Sequence, residues 1–366
     1  MSATERAIPT TMTFENPVLP GFHPDPTVCR VGEDYFLAAS SFTYFPGVPL
    51  FHSRNLVDWS QIGNVLDRPS QLDLSASSAW SSLGICAPTF RHHDGRFWLI
   101  TTNVVGLGTF LVTSDDPAGP WSDPVPVPVP GIDPDLAWDG DGNCWVHFSD
   151  VGRGIARAKV DPLTGAILEG PEPTWSGTGL QFPEAPHIYE RDGTWYLLIA
   201  EGGTERGHCV SVARGPSPRG PWEGSPSNPI VTHRSTSLPI QNTGHADLTQ
   251  ATDGSWWMVL LGVRPRGITP GFHVLGRETF LTPVDWVDGW PVPGALGLQM
   301  GHRPPGEGLG VVTPVRDDFD SATLAPLWVA VRRPPAEIGS LLARPGWLTL
   351  SGSEATLDSA EPVLIG

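Results

Sequence analysis

The sequence predicts an all-β chain, a five-bladed β-propeller followed by an incomplete, truncated β-sandwich segment, on three observations. Forty prolines and forty-two glycines in 366 residues leave little room for long helices. Short runs of β-branched and aromatic residues alternate with acidic or glycine turns along most of the chain. Five of those runs share one pattern at starts 46 to 62 residues apart, which suits propeller blades and is too irregular for a solenoid.

The runs are DPTVCRVGEDYFLAAS from Asp25, APTFRHHDGRFWLITT from Ala87, DPDLAWDGDGNCWVHFS from Asp133, APHIYERDGTWYLLIAEGG from Ala185 and HADLTQATDGSWWMVLLG from His245. Each reads as a hairpin: a polar start, an alternating strand, a tight turn, then an aromatic-led apolar strand. Gly32-Glu33, Asp94-Gly95, Asp141-Gly142, Asp192-Gly193 and Asp253-Gly254 supply the residues that tolerate positive φ in short hairpin turns. After three hairpins a second element ends at Trp59, Trp121 and Trp222, as expected of an outer strand and its corner. A twisted sandwich would not require such self-similar hairpins. The propeller is therefore expected over residues 12–312, with the first strand of each hairpin nearest the axis and residues 1–11 flexible. From 313 to 366 the character changes. VRDDFDSATLAPLWVAVRRPP and GWLTLSG read as opening strands of a sandwich too short to enclose a core, loose or lying against the propeller.

Composition excludes several functions. The formal charge is −17 with one lysine, Lys159, so no basic face is available for phosphates and nucleic acid is not an expected partner. The longest apolar run, about Trp256 to Val263, is far short of the ~20 residues of a membrane helix, so no membrane partner is expected. Cys29, Cys86, Cys144 and Cys209 lie far apart without zinc spacing, and the N-terminus has no apolar leader, which reads as a reduced, cytoplasmic protein. Neither G-x-S-x-G nor H-E-x-x-H occurs. Oligomeric state is not readable.

Aligning the hairpins puts Asp25, Ala87, Asp133, Ala185 and His245 at one structural position, with Glu184 just before the fourth. If these starts crowd the mouth of a central funnel, three acids and an imidazole converge there. Either Asp-Pro alone reads more readily as a turn starter, and a lone His245 as a structural histidine. Crowded carboxylates repel and shed solvent, so one is raised and another stays ionised, the division that glycosidic cleavage uses. Glu184 in LQFPEAPHIY has apolar sequence neighbours that favour its protonated form, whereas Asp25 has none. A sugar-binding propeller is the non-enzymatic alternative.

The segments NPVLPGFHPDPTVCRVGEDYFLA, SSFTYFPGVPLFHSRNLVDW, PEAPHIY, TGHADLTQATDGSWWMVLLGVRP and LGRETFLTPVDWVDGWPV resemble, in order, landmarks of glycoside hydrolase family 43, in its branch of β-xylosidases and α-L-arabinofuranosidases. The resemblance implies an inverting hydrolase of xylan- or arabinan-derived oligosaccharides, an exo-acting β-xylosidase first and an α-L-arabinofuranosidase or bifunctional enzyme second. It implies Asp25 as general base, Asp133 as the acid that tunes pKa and orientation, and Glu184 as general acid. Arg277 matches an arginine that reaches the pocket, and Phe42 and Phe45 resemble the apolar wall of the terminal-sugar subsite. Cys86 stands where several xylosidases have a tryptophan. His245 matches a histidine that in some members helps bind a calcium ion or ordered water in the central channel, and no cofactor is required.

Overall fold

A computed structural model describes residues 13–75, 83–267, 269–310, 316–352 and 364–365. The segment expected to be flexible, 1–11, lies outside the described residues. The fold is an all-β five-bladed propeller with a C-terminal β segment. Blade 1 is a four-stranded antiparallel sheet of Thr27–Val31, Asp34–Ala38, Gly47–Ser53 and Ser60–Leu66. The inner strands of blades 2 to 5 are Ile85–His93, Ile132–Trp138, Glu184–Arg191 and Gln241–Gln250. Each inner strand touches the next and the fifth returns to the first, so the five surround one axis.

Burial explains the ring. Every seam between neighbouring blades holds its own apolar cluster, for example Leu37, Leu56, Trp257 and Leu281 between blades 5 and 1. Leu111, Val146 and Phe148 fill the seam between blades 2 and 3. Sheet faces buried on both sides account for the near-continuous apolar strands such as Trp256–Val263. The hairpin turns take the conformations their residues allow: Asp94 and Gly95 have φ 50° and 75°, and Asp192 and Gly193 have 52° and 77°. Trp59, Trp121 and Trp222 each lead into the outermost strand of a blade.

The N-terminal segment seals the ring against blade 5. Phe14–Glu15 pairs with Gln299–Met300, and the Asn16 carboxamide donates to the Leu281 carbonyl and accepts the Leu281 N–H, both at 2.9 Å. At the other end Val329–Val331 pairs with Tyr44–Phe45, and Gln61 and Asn64 donate to the Pro326 carbonyl, so the tail lies along blade 1.

One backbone feature positions the site. Asp25, Ala87, Asp133, Ala185 and His245, the five aligned starts, all adopt left-handed φ, at 56°, 42°, 54°, 52° and 47°. None is glycine, and an L-residue pays roughly 1–2 kcal/mol for this conformation. In blades 2 to 5 the ladder register slips within the same few residues, as at Cys86/Thr89 and Ile132/Asp135, so the strand opens with a bulge that re-aims its first side chain. Beyond it, period-two alternation brings Thr27, Thr89, Asp135, His187 and Asp247 onto one inward layer.

Candidate active site

Asp25 is 4% exposed at the mouth of the channel. Its Oδ1 is 2.9 Å from Arg277 Nη1 and 3.4 Å from His245 Nδ1, and its Oδ2 accepts the Ser40 hydroxyl at 2.6 Å. Burial pushes this carboxyl up, but Arg277, His245, Ser40 and His208 together hold it below its ordinary value. It is held ionised. Ser40 Oγ also accepts the Ala87 N–H at 2.6 Å, tying the second blade's strained start to the first blade's acid.

Asp133 behaves in the opposite way. It is 7% exposed, and burial followed by the nearby charges of Glu184 and Asp25 raises it well above the usual carboxylate range, although its Oδ2 accepts the Ala185 N–H at 3.2 Å. Glu184 is half-buried, and its Oε1 is 3.5 Å from His208 Nε2. The apolar cage expected around Glu184 is absent: Phe182 turns outward at φ 53° and is 54% exposed, so the carboxyl faces an imidazole. Asp133 is raised because it is buried with the charges of two other acids close by. His245 is lowered to about 4 by burial, only partly opposed by Asp25, and is neutral at neutral pH.

Phe42, at φ 48°, lies under the Arg277 guanidinium at 5.2 Å. Gly84 makes this possible, since a Cβ there would come 2.1 Å from the Phe42 carbonyl that bonds Ile85. Phe45, expected on the same wall, is not brought there. It is 4% exposed in the seam between blades 1 and 2, and its backbone pairs with Ala330. Cys86 is half-buried beside the acids, its thiol pushed up to about 12 by burial and by Asp133 and Asp25.

Ser40, His208, Arg91, Asp135 and Asp247 escaped the sequence reading. The signal for Asp135 and Asp247 was present, two residues beyond Asp133 and His245. His208 sends Nδ1 to the Asn242 carbonyl at 3.0 Å, so Nδ1 carries the hydrogen and Nε2 faces Glu184. Its ring fills the space where a Cβ on Gly244 would stand, 2.3–2.5 Å away.

The layer beneath His245 does not fit a calcium ion. Calcium takes six to eight oxygen ligands, whereas Asp135 and Asp247, both fully buried, are already bonded to the Arg91 guanidinium at 2.8 and 3.0 Å. Among the described residues no group of three or more His, Cys, Asp or Glu could hold a metal. Nor is any helix among them long and apolar enough to cross a membrane.

A propeller whose funnel holds one carboxylate held ionised, one carboxyl raised well above the usual carboxylate range and a third against an imidazole belongs to the class of carbohydrate-cleaving enzymes. Residues 14–291 match Glycosyl hydrolases family 43 and residues 316–366 match the Beta xylosidase C-terminal Concanavalin A-like domain, and the chain belongs to glycosyl hydrolases family 43. It is thus a glycosidase. It is 42% identical over 363 residues to the Non-reducing end alpha-L-arabinofuranosidase BoGH43B of Bacteroides ovatus, a match covering 97% of this chain and 68% of that protein. It is also 42% identical over 374 residues to a Xylosidase/arabinosidase of Butyrivibrio fibrisolvens, covering 96% and 71%. The solved xylan beta-1,4-xylosidase from Bacillus halodurans C-125 superposes with a TM-score of 0.86 at 37% identity, over 93% of this chain and 69% of the other.

Proposed function

We propose that this glycosidase removes terminal pentoses from xylan- or arabinan-derived oligosaccharides with inversion, β-D-xylose being its first substrate. The observation that carries the reading is the differentiation of the three carboxyls. Asp25, held ionised, acts as general base on water; Glu184, the most accessible of the three, acts as general acid on the departing oxygen; Asp133, its carboxyl raised by burial and by its two acidic neighbours, tunes the other two. The buried seat of Asp25, closed by Arg277 over Phe42, suits a pocket for one terminal sugar better than an open groove.

A second reading has specific support. Two relatives at 42% identity carry arabinofuranosidase or arabinosidase in their names, and Cys86 leaves the wall beside the acids smaller than a tryptophan would. α-L-Arabinofuranosidase or dual activity is therefore the alternative. The experiment is a panel of aryl xylosides and arabinofuranosides, with the anomer first released followed by proton NMR. Release of the α-anomer of xylose from a β-xyloside supports the proposal. Retained configuration would overturn the mechanism, and exclusive arabinose release would overturn the substrate alone.

A further inference from the structure

One layer below the carboxyls of the mouth, side chains from all five blades meet on the axis. Arg91 of blade 2 donates from Nη1 to Asp247 Oδ2 at 3.0 Å, and from Nη2 to Asp135 Oδ1 at 2.8 Å and to His187 Nδ1 at 3.0 Å. Asp247 comes from blade 5, Asp135 from blade 3 and His187 from blade 4; Thr27 of blade 1 completes the ring by donating its hydroxyl to Asp247 Oδ2 at 2.7 Å. Main-chain N–H groups of Val28 and Ile188 also reach the two carboxylates, at 2.9 and 2.8 Å. His187 Nδ1 lies between the guanidinium, at 3.0 Å, and Asp135 Oδ1, at 3.2 Å. Both acids are fully buried and held below their ordinary values, so the layer is two carboxylates around one fixed cation.

We propose that Arg91 is a built-in cation that takes the place of a divalent metal ion in the central channel, closing the five-blade ring and making the enzyme independent of calcium. Two buried carboxylates from opposite sides of a ring need a cation on the axis. The guanidinium cannot lose its proton and reaches three blades through its fork, which no point charge on a flexible stem could do. A calcium ion would need the same oxygens and would meet a permanent positive charge within hydrogen-bond distance of them. The inference is independent of which acid at the mouth serves as base or acid.

The full chain is first dialysed against EDTA and compared, with and without millimolar calcium, for thermal midpoint and for kcat/KM on an aryl glycoside. Both are expected to be unchanged within error. Loss of activity in EDTA that calcium restores, or a midpoint that calcium raises, would overturn the proposal. The second arm is Arg91→Gly, which vacates the guanidinium and leaves its ligands. It is expected to melt earlier, and its midpoint is expected to rise with millimolar guanidinium or calcium while that of the parent does not. An Arg91→Gly protein as stable and active as the parent would sink the idea. If this variant does not fold, the comparison on the parent protein still decides.

Discussion

Replacing Arg277 by methionine probes how the proposed base stays ionised. Arg277 Nη1 is 2.9 Å from Asp25 Oδ1 in a site where the carboxyl is almost fully buried. Burial drives that carboxyl up, and the guanidinium is the strongest of the groups that bring it below 3.8. Methionine keeps much of the apolar stem that covers Phe42 while removing the charge. An opposite charge this close lowers a carboxylate by about 1–3 pKa units, each worth about 1.4 kcal/mol. The acidic limb of kcat/KM against pH should therefore move up by about 1–3 units, with a heavy loss near pH 5 and a much smaller one on the alkaline plateau. Arg277→Lys keeps a charge without the fork and should fall between. Stability follows with a definite sign. A carboxyl titrating below 3.8 when folded binds fewer protons than when unfolded, so its stabilisation is present above 3.8 and is lost as pH falls. Arg277→Met should melt earlier than the parent at pH 7, with the difference shrinking as the solution is acidified. The assays are pH–rate profiles on an aryl glycoside and thermal melts across that pH range. An unmoved acidic limb with a raised KM alone would refute the reasoning, because Arg277 would then bind sugar without governing Asp25.

Glu184→Gln should cut turnover of substrates with poor leaving groups by about 10²–10⁴-fold while sparing activated aryl glycosides, as steady-state kinetics on a leaving-group series would show. Asp133→Asn keeps an oxygen for the Ala185 N–H and removes a carboxyl that is raised when folded. The parent's stability from that carboxyl is fully present below 3.8 and is lost as pH rises through the folded value, so the variant should out-melt the parent increasingly above neutrality while losing activity. Melting curves that stay parallel from pH 4 to 9 would contradict this. Gly244→Ala sets a methyl 2.3–2.5 Å from the His208 ring, which must leave its place against Glu184. A stability cost of about 1–3 kcal/mol together with a fall in kcat on poor leaving groups is expected, readable by denaturant titration and kinetics.

What was legible in the sequence was whatever repeats locally. The blades announce themselves because strand alternation and turn chemistry are decided within a few residues, and Asp-Gly needs no distant partner to make its turn. Asp25 and Asp133 stood out for a similar reason: the same left-handed start recurs at the head of each inner strand, so aligning hairpins aligned the strained positions without any knowledge of the strain. Phe42 and Phe45 show where local reading stops. Three residues apart in SSFTYFPG, they look like one wall, but the left-handed turn at Phe42, pinned by its bridge to Ile85, sends one ring beneath Arg277 and the other into a seam. Phe182 misled in the same way, its outward turn leaving the neighbouring Glu184 to an imidazole that arrives from 24 residues later.

The partners that set each acid's charge were hidden because they are contributed across blades. Ser40 joins Asp25 to the backbone of blade 2, Arg277 reaches Asp25 from 252 residues away, and Arg91 spans three blades from a strand whose own aligned start, Ala87, is a silent alanine. Yet the pattern that found the mouth also contains the layer below it. Two residues on from the aligned starts the repeat reads Thr27, Thr89, Asp135, His187 and Asp247, a layer whose two buried carboxylates demand a cation. Two positions further on it reads Cys29, Arg91, Ala137, Tyr189 and Thr249, and supplies the only one. An inner strand of a propeller is thus a column of ring layers, each with its own charge balance. The mouth is left unbalanced, three carboxyls against one arginine, because unequal ionisation there is what the chemistry uses; the layer beneath is closed by Arg91 so that the imbalance above it can be held in place.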